Sequence, residues 1–159
     1  MPVHPSTGAP AALVCRVIDH LGCQGGYSSE PATPTLKPLQ FAAWPDGTLI
    51  WDDSALVADP NAYRIARVDP AQVQRLLQRA RERFATLPEP SMGLPFGLSG
   101  GSEQVIALAE GESYFSVSWG GNKDTPLYPV IAPVWRDVRM MVYEAIPSQG
   151  DVIALDLGH

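Results

Sequence analysis

Thiols, imidazoles, carboxylates and guanidinium groups do chemistry only where the chain gathers them, and this chain of 159 residues gathers few. Cys15, His20 and Cys23 are the tightest grouping. Two sulfurs and an imidazole are zinc-type ligands, but a tetrahedral site needs a fourth ligand such as Asp19, and the spacing matches no established zinc pattern. The three residues are therefore a weak metal candidate, and the expected state holds no metal. The cysteines fit equally a disulfide closing a short loop or two free thiols. Cys15 as a nucleophile with His20 as its base is poorer still. On a helix, five residues of separation take the imidazole off the thiol's face, and nothing orients it.

Two glycine-rich runs, Gly97–Ser102 and Trp119–Lys123, offer backbone N–H groups of the kind that cradle phosphate. Neither has P-loop or dinucleotide spacing, so both read as turns and no cofactor is expected. The acidic residues Asp52, Asp53, Glu110 and Glu112 fall at turns and strand ends, where solvent keeps carboxylates ordinary and the chain soluble. No catalytic residue is assigned.

Arginines are the less ordinary feature. Arg75, Arg79 and Arg83 recur every four residues with Arg81 close by, and Glu82 is the only local counter-charge. Stacked like charges cost roughly a few tenths of a kcal/mol per pair, so the stripe calls for compensation in a chain of net charge −6. An acidic partner, an anionic ligand or the chain's own Asp151 and Asp156 would supply it. Trp44 and Trp51 flank a predicted turn, and Phe115, Trp119, Tyr128 and Trp135 gather in the second half. Trp and Arg dominate interface hot spots, so Arg75, Arg79, Arg83, Trp44 and Trp51 form the candidate binding surface.

The elements that must position these groups follow from spacing and punctuation. Residues 1–10, with Pro2, Pro5, Gly8 and Pro10, read as a flexible N-terminal arm, and residues 11–159 as a single domain. Leu13, Val14, Val17 and Ile18 are spaced by one, three and one, which predicts a helix over Ala11–His20 stopped by Gly22. Gly25–Pro38 reads as a long surface loop. Leu39–Trp44 and Thr48–Trp51 flank Pro45-Asp46-Gly47, and Asp-Gly supplies the positive φ angles of a tight hairpin. Ala62–Val68 is a third extended segment.

Asp69-Pro70 opens a helix with a capping carboxylate and a proline at its first position. Val73, Leu76, Leu77, Ala80, Phe84 and Leu87 form one apolar stripe along it, ended by Pro88 and Pro90. Gln104–Ala109 and Tyr114–Trp119 form a second hairpin, Val134–Ile146 a second helix set up by Pro133, and Asp151–Leu157 a last strand. Hairpins exclude an all-parallel sheet. The expected fold is α+β: an antiparallel sheet of hairpins with two main helices packed on one face.

Composition narrows the function classes. Hydrophobic residues make up 45% of the chain and charged residues 18%, enough for one core and too little charge for a disordered tail protein. The 14 glycines and 16 prolines argue for many turns and against a helical bundle. Net acidity disfavours nucleic acid and anionic membrane surfaces, and no apolar run is long enough to insert in a bilayer. The N-terminus lacks the basic region of a signal peptide, so the chain reads as cytoplasmic as written, or exported if a signal was removed before Met1.

Phe41, Pro45-Asp46-Gly47-Thr48, Tyr63, Asp69-Pro70-Ala71-Gln72-Val73, Leu76-Leu77 and Phe84, followed by a hairpin and a closing helix, carry a resemblance. Over residues 39–146 the chain resembles small bacterial α+β domains of unknown function, in which an Asp-Gly hairpin precedes a helix opening on Pro-x-x-Val-x-x-Leu-Leu. The resemblance supports the fold and implies no catalytic residues; many such domains are exported.

The expected function is a non-enzymatic protein-binding or accessory domain acting through a helix or sheet surface, with another protein or a second copy as partner. One version is an acidic immunity or inhibitor protein, steered electrostatically to a basic target. The rival is a small hydrolase-type enzyme whose site is built from the long loops 25–38, 91–103 and 120–133.

Overall fold

Asp-Gly punctuation and alternating apolar residues make hairpins, and hairpins assemble here into one antiparallel sheet. The computed structural model describes residues 2–19, 37–87, 102–110, 113–119 and 128–155. Its strands are β1 (Leu13–Asp19), β2 (Leu39–Ala43), β3 (Thr48–Trp51), β4 (Ala62–Arg67), β5 (Ser102–Glu110), β6 (Ser113–Trp119) and β7 (Asp151–Ala154). Helix α1 spans Pro70–Phe84, helix α2 spans Tyr128–Ala145, and a 3₁₀ turn covers Ser54–Leu56. The sheet has seven strands in the order β6-β5-β1-β2-β3-β4-β7, with every neighbouring pair antiparallel. The fold class is α+β, as the pattern of elements predicts.

Within the segment Ala11–His20, expected as a helix, Leu13–Asp19 form strand β1 instead. It lies at the centre of the sheet between β2 and β5. Leu13, Val14 and Cys15 are all buried, with Leu13 and Cys15 facing the helices and Val14 facing the other side. A strand covered on both faces has no polar alternation, and its apolar run is then indistinguishable by spacing from a buried helix.

The first hairpin also differs in detail from expectation. Among the described residues no non-glycine has positive φ, so Asp46 is not left-handed; in this turn Gly47 is, at φ 99°. Gly47 N–H donates to Trp44 C=O at 3.0 Å and Trp44 N–H to Thr48 C=O at 2.9 Å. Pro45 and Asp46 thus make an ordinary turn, and the glycine realigns the strands as a bulge. A side chain at Gly47 would also collide with the Val68 carbonyl, which closes the hairpin against the start of α1.

Asp69 caps α1 through Oδ1, which accepts from the Ala71 N–H at 2.9 Å, and Pro70 begins the helix. Its predicted stripe, Val73, Leu76, Leu77, Ala80 and Phe84, is buried against the sheet and α2. Helix α2 starts six residues earlier than predicted, because Pro133 lies inside it. Pro133 is exposed, so the N–H it lacks is missing from the solvent side of the helix. Both helices contribute to one buried cluster with Leu13, Phe41, Leu49, Trp51 and Ile106. A second cluster, built on Val14, Ala42, Trp44, Ile50 and Tyr63, occupies the opposite face of the sheet.

Candidate functional site

A break in register builds the most distinctive site. Cys15 pairs with Phe41, but Arg16 pairs with Leu39, so Gln40 is left over as a bulge in β2. The bulge brings Gln40 and its neighbour Phe41 to the lining of one cavity, where strict alternation would send them to opposite faces. The cavity has a volume of about 500 Å³ and lies between the C-terminal half of α2, strands β1 and β2, and the 3₁₀ turn. Its apolar lining comes from Phe41, Val57, Val142 and Ile146, with Cys15 beside them. Val57 is 56% exposed and Tyr143 53% exposed, so both stand at the mouth rather than the floor.

The polar groups of the cavity are held by specific partners. Lys37 is only 5% exposed, and its ammonium donates to the carbonyls of Leu56, at 3.0 Å, and Ala62. Its third partner is Asp52 Oδ1 at 3.2 Å, and the Tyr63 ring centre lies 5.1 Å away. Two of the three donors of the ammonium are thus spent on carbonyls, and the contact with Asp52 is an ion pair without a hydrogen bond to Oδ1 among the described residues. The neighbouring Asp53 turns the other way. One oxygen accepts from the Ala55 N–H at 3.0 Å and the other from Arg64 Nε at 3.0 Å, holding its carboxyl below the usual carboxylate range.

Arg139 supplies the second cation. Its Nη1 donates to Gln40 Oε1 at 2.8 Å, while Nη2 and Nε donate to the Tyr143 hydroxyl at 2.8 and 3.1 Å. The guanidinium carbon lies 5.1 Å from the ring centres of both Trp135 and Tyr143. A planar cation over aromatic faces is fixed in orientation as well as place. Cys15 is a free, buried thiol, and burial pushes its pKa up to about 12 even against the opposing pull of Arg139. It is therefore a neutral thiol at ordinary pH and not a nucleophile.

A Thr–His–Asp grouping also occurs, at the first hairpin. His4 Nε2 lies 2.9 Å from Thr48 Oγ1 and 3.0 Å from Asp46 Oδ2, while Nδ1 accepts the N–H groups of Ser6 and Thr7 at 3.0 and 3.2 Å. A proton relay needs the hydroxyl and the carboxylate on opposite ring nitrogens. Here both share one nitrogen, so the imidazole is a clamp that ties residues 2–10 to β3.

The residues singled out from the sequence divide as follows. Arg75 and Arg79 are exposed on α1, and no ion pair reaches them among the described residues. Arg83 is committed to Asp137 of α2, Nη2 to Oδ2, at 2.6 Å. Trp44 and Trp51 are 1% and 6% exposed and belong to the core, not to a surface. Trp44 donates Nε1–H to the Ala9 carbonyl at 2.9 Å and meets the edge of His4 at 5.4 Å; Gly150 packs on the Trp51 ring. Of the metal candidates, Cys15 lies in the cavity lining, and His20 and Cys23 fall outside the described residues. Among the described residues no group of three or more His, Cys, Asp or Glu could hold a metal ion. The loops proposed for a hydrolase site lie mostly outside the described residues.

Lys37, Gln40, Arg139 and Tyr143 were not singled out by spacing, and Asp52 was read only as a solvated carboxylate at a strand end. Gln40 carried the one usable signal, a lone amide between Leu39 and Phe41 in an otherwise apolar strand.

Comparison of the chain with protein-family models, with curated proteins and with solved structures finds no match. Among the described residues no helix is long and apolar enough to cross a membrane.

Proposed function

We propose that this chain is a non-enzymatic binding domain that works through the cavity beneath α2, taking a small organic ligand. One observation carries the reading. The cavity of about 500 Å³ falls within the 300–1,000 Å³ common for small-molecule sites, and its side walls are largely apolar. Its ionisable lining residues support binding over turnover. Lys37 spends two donors on carbonyls and is ion-paired with Asp52, and Cys15 is a protonated thiol.

Native mass spectrometry of the protein from its own source, without reductant, tests this. The expected result is the 17.1 kDa chain carrying an added small-molecule mass. Val57→Trp, which places a large ring at the exposed mouth, should remove the adduct without overfilling the core. A bare chain in both proteins overturns the reading.

A second reading, docking of an acidic protein on α1, is favoured by the exposure of Arg75 and Arg79 in a chain of net charge −6. The same spectrum separates the two, since that partner adds a polypeptide mass that Val57→Trp leaves in place.

A further inference from the structure

We infer that His4 is an acid-sensitive latch: a second proton on its imidazole opens the exposed turn Ser6–Gly8 while the ring stays moored to the first hairpin. The device is independent of the cavity and rests on which ring nitrogen does what. Nδ1 accepts the N–H groups of Ser6 and Thr7 at 3.0 and 3.2 Å. The neutral ring therefore carries its proton on Nε2, which lies 2.9 Å from Thr48 Oγ1 and 3.0 Å from Asp46 Oδ2. In the imidazolium both nitrogens are donors. The added proton lands on Nδ1 and turns two hydrogen bonds into contacts between donors.

The two sides of the ring respond differently. On the Nε2 side the Asp46 carboxylate holds the cation, since a charge-assisted bond is about twice as strong as a neutral one. The other charge at this carboxylate is Arg67 of β4, whose Nη2 lies 3.9 Å from the same Oδ2 and whose side chain is largely exposed. Trp44 and Thr48, the remaining neighbours of the ring, are neutral. On the Nδ1 side Ser6 and Thr7 are exposed, so water replaces the acceptor that their N–H groups lose. The turn is left on two bonds, Gly8 N–H to His4 C=O at 2.9 Å and Ala9 N–H to Thr7 Oγ1 at 3.3 Å, both donated by exposed residues. The opening stops at the base of the loop. There the Ala9 carbonyl accepts from His4 N–H at 2.7 Å and from Trp44 Nε1–H at 2.9 Å, and Val3 bridges to Pro10; none of these contacts uses the imidazole.

Nuclear magnetic resonance of the ¹⁵N-labelled full chain between pH 8 and pH 5, the span over which histidine commonly changes charge, tests the latch. At pH 8 the amides of Ser6, Thr7 and Gly8 should show order parameters of about 0.85, as in rigid backbone, and at pH 5 values below about 0.6. Their peak positions should move with the same midpoint as the His4 ring resonances. The amides of Ala9, Ala11 and Thr48 should stay ordered throughout, which separates release of the turn from unfolding. His4→Gln, whose side chain takes no proton in this span, should show the same order in the turn at both pH values. The latch is overturned if the His4 ring gains its proton while the turn stays ordered, or gains none by pH 5. It is equally overturned by a turn that is loose at both pH values, or by one that still loosens with acid in His4→Gln. Should His4→Gln not fold, the comparison of midpoints in the unaltered chain decides the matter.

Discussion

Cys15 shows how little a residue's type says before its surroundings are known. By type it is a zinc ligand or a nucleophile; in place it is a buried neutral thiol whose pKa is pushed up to about 12 from 9.0, chiefly by burial. The sign of its effect on stability follows. The unfolded chain loses this proton first, so the contribution is fully present below about pH 9 and is lost as pH rises toward 12. Cys15→Ala should therefore flatten the alkaline fall in stability over that window, read from urea midpoints at successive pH values. Tyr63, also pushed up to about 12 by burial and by the charge of Asp52, leaves a residual slope above pH 10. An unchanged slope from pH 9 upward would show that Cys15 is not buried as described. None of this was legible in the sequence, because desolvation depends on what packs over the sulfur from β2 and α2.

At the scale of elements, sequence was read well where local geometry makes a demand and poorly where it does not. The α1 stripe required no context: Val73, Leu76, Leu77, Ala80 and Phe84 share a helical face and all are buried. Leu76→Ala or Phe84→Ala should cost about 2–5 kcal/mol in chemical denaturation, and a loss under about 0.5 kcal/mol would place the stripe outside the core. The hairpin was legible from Asp46-Gly47, although only the glycine takes positive φ. Gly47→Ala should cost about 1–3 kcal/mol from the backbone conformation, with the clash at the Val68 carbonyl adding to it. A variant as stable as the parent would rule out the left-handed turn. β1 and α2 were misread for opposite reasons. β1 has no polar face to reveal its period, and α2 contains a proline that local rules place at a helix start.

For the whole molecule, the two helices on one side of the sheet decide which arginines are surface and which are structure. Arg79 is exposed, whereas Arg83, one turn further along α1, bridges to Asp137 of α2 at 2.6 Å. Arg79→Glu should leave stability within about 0.5 kcal/mol, as for an ordinary surface change. Arg83→Ala, a partly exposed pair, should lower it by up to about 1 kcal/mol, and Asp137→Ala should give no further loss in the double variant. Additive losses would mean that the two side chains do not interact. In the sequence these arginines form one stripe; helix packing divides it.

Local chemistry determined the hairpins, the capped helix α1, the α+β class and the exclusion of an all-parallel sheet, because turn residues and helical spacing act over a few neighbours. Tertiary structure alone decided that Leu13–Asp19 is a central strand, that Trp44 and Trp51 are core, and that Gln40 and Arg139 meet at 2.8 Å across 99 positions of chain. Burial and long-range contact depend on which surfaces pack together, and no spacing within one segment encodes what another will bring against it.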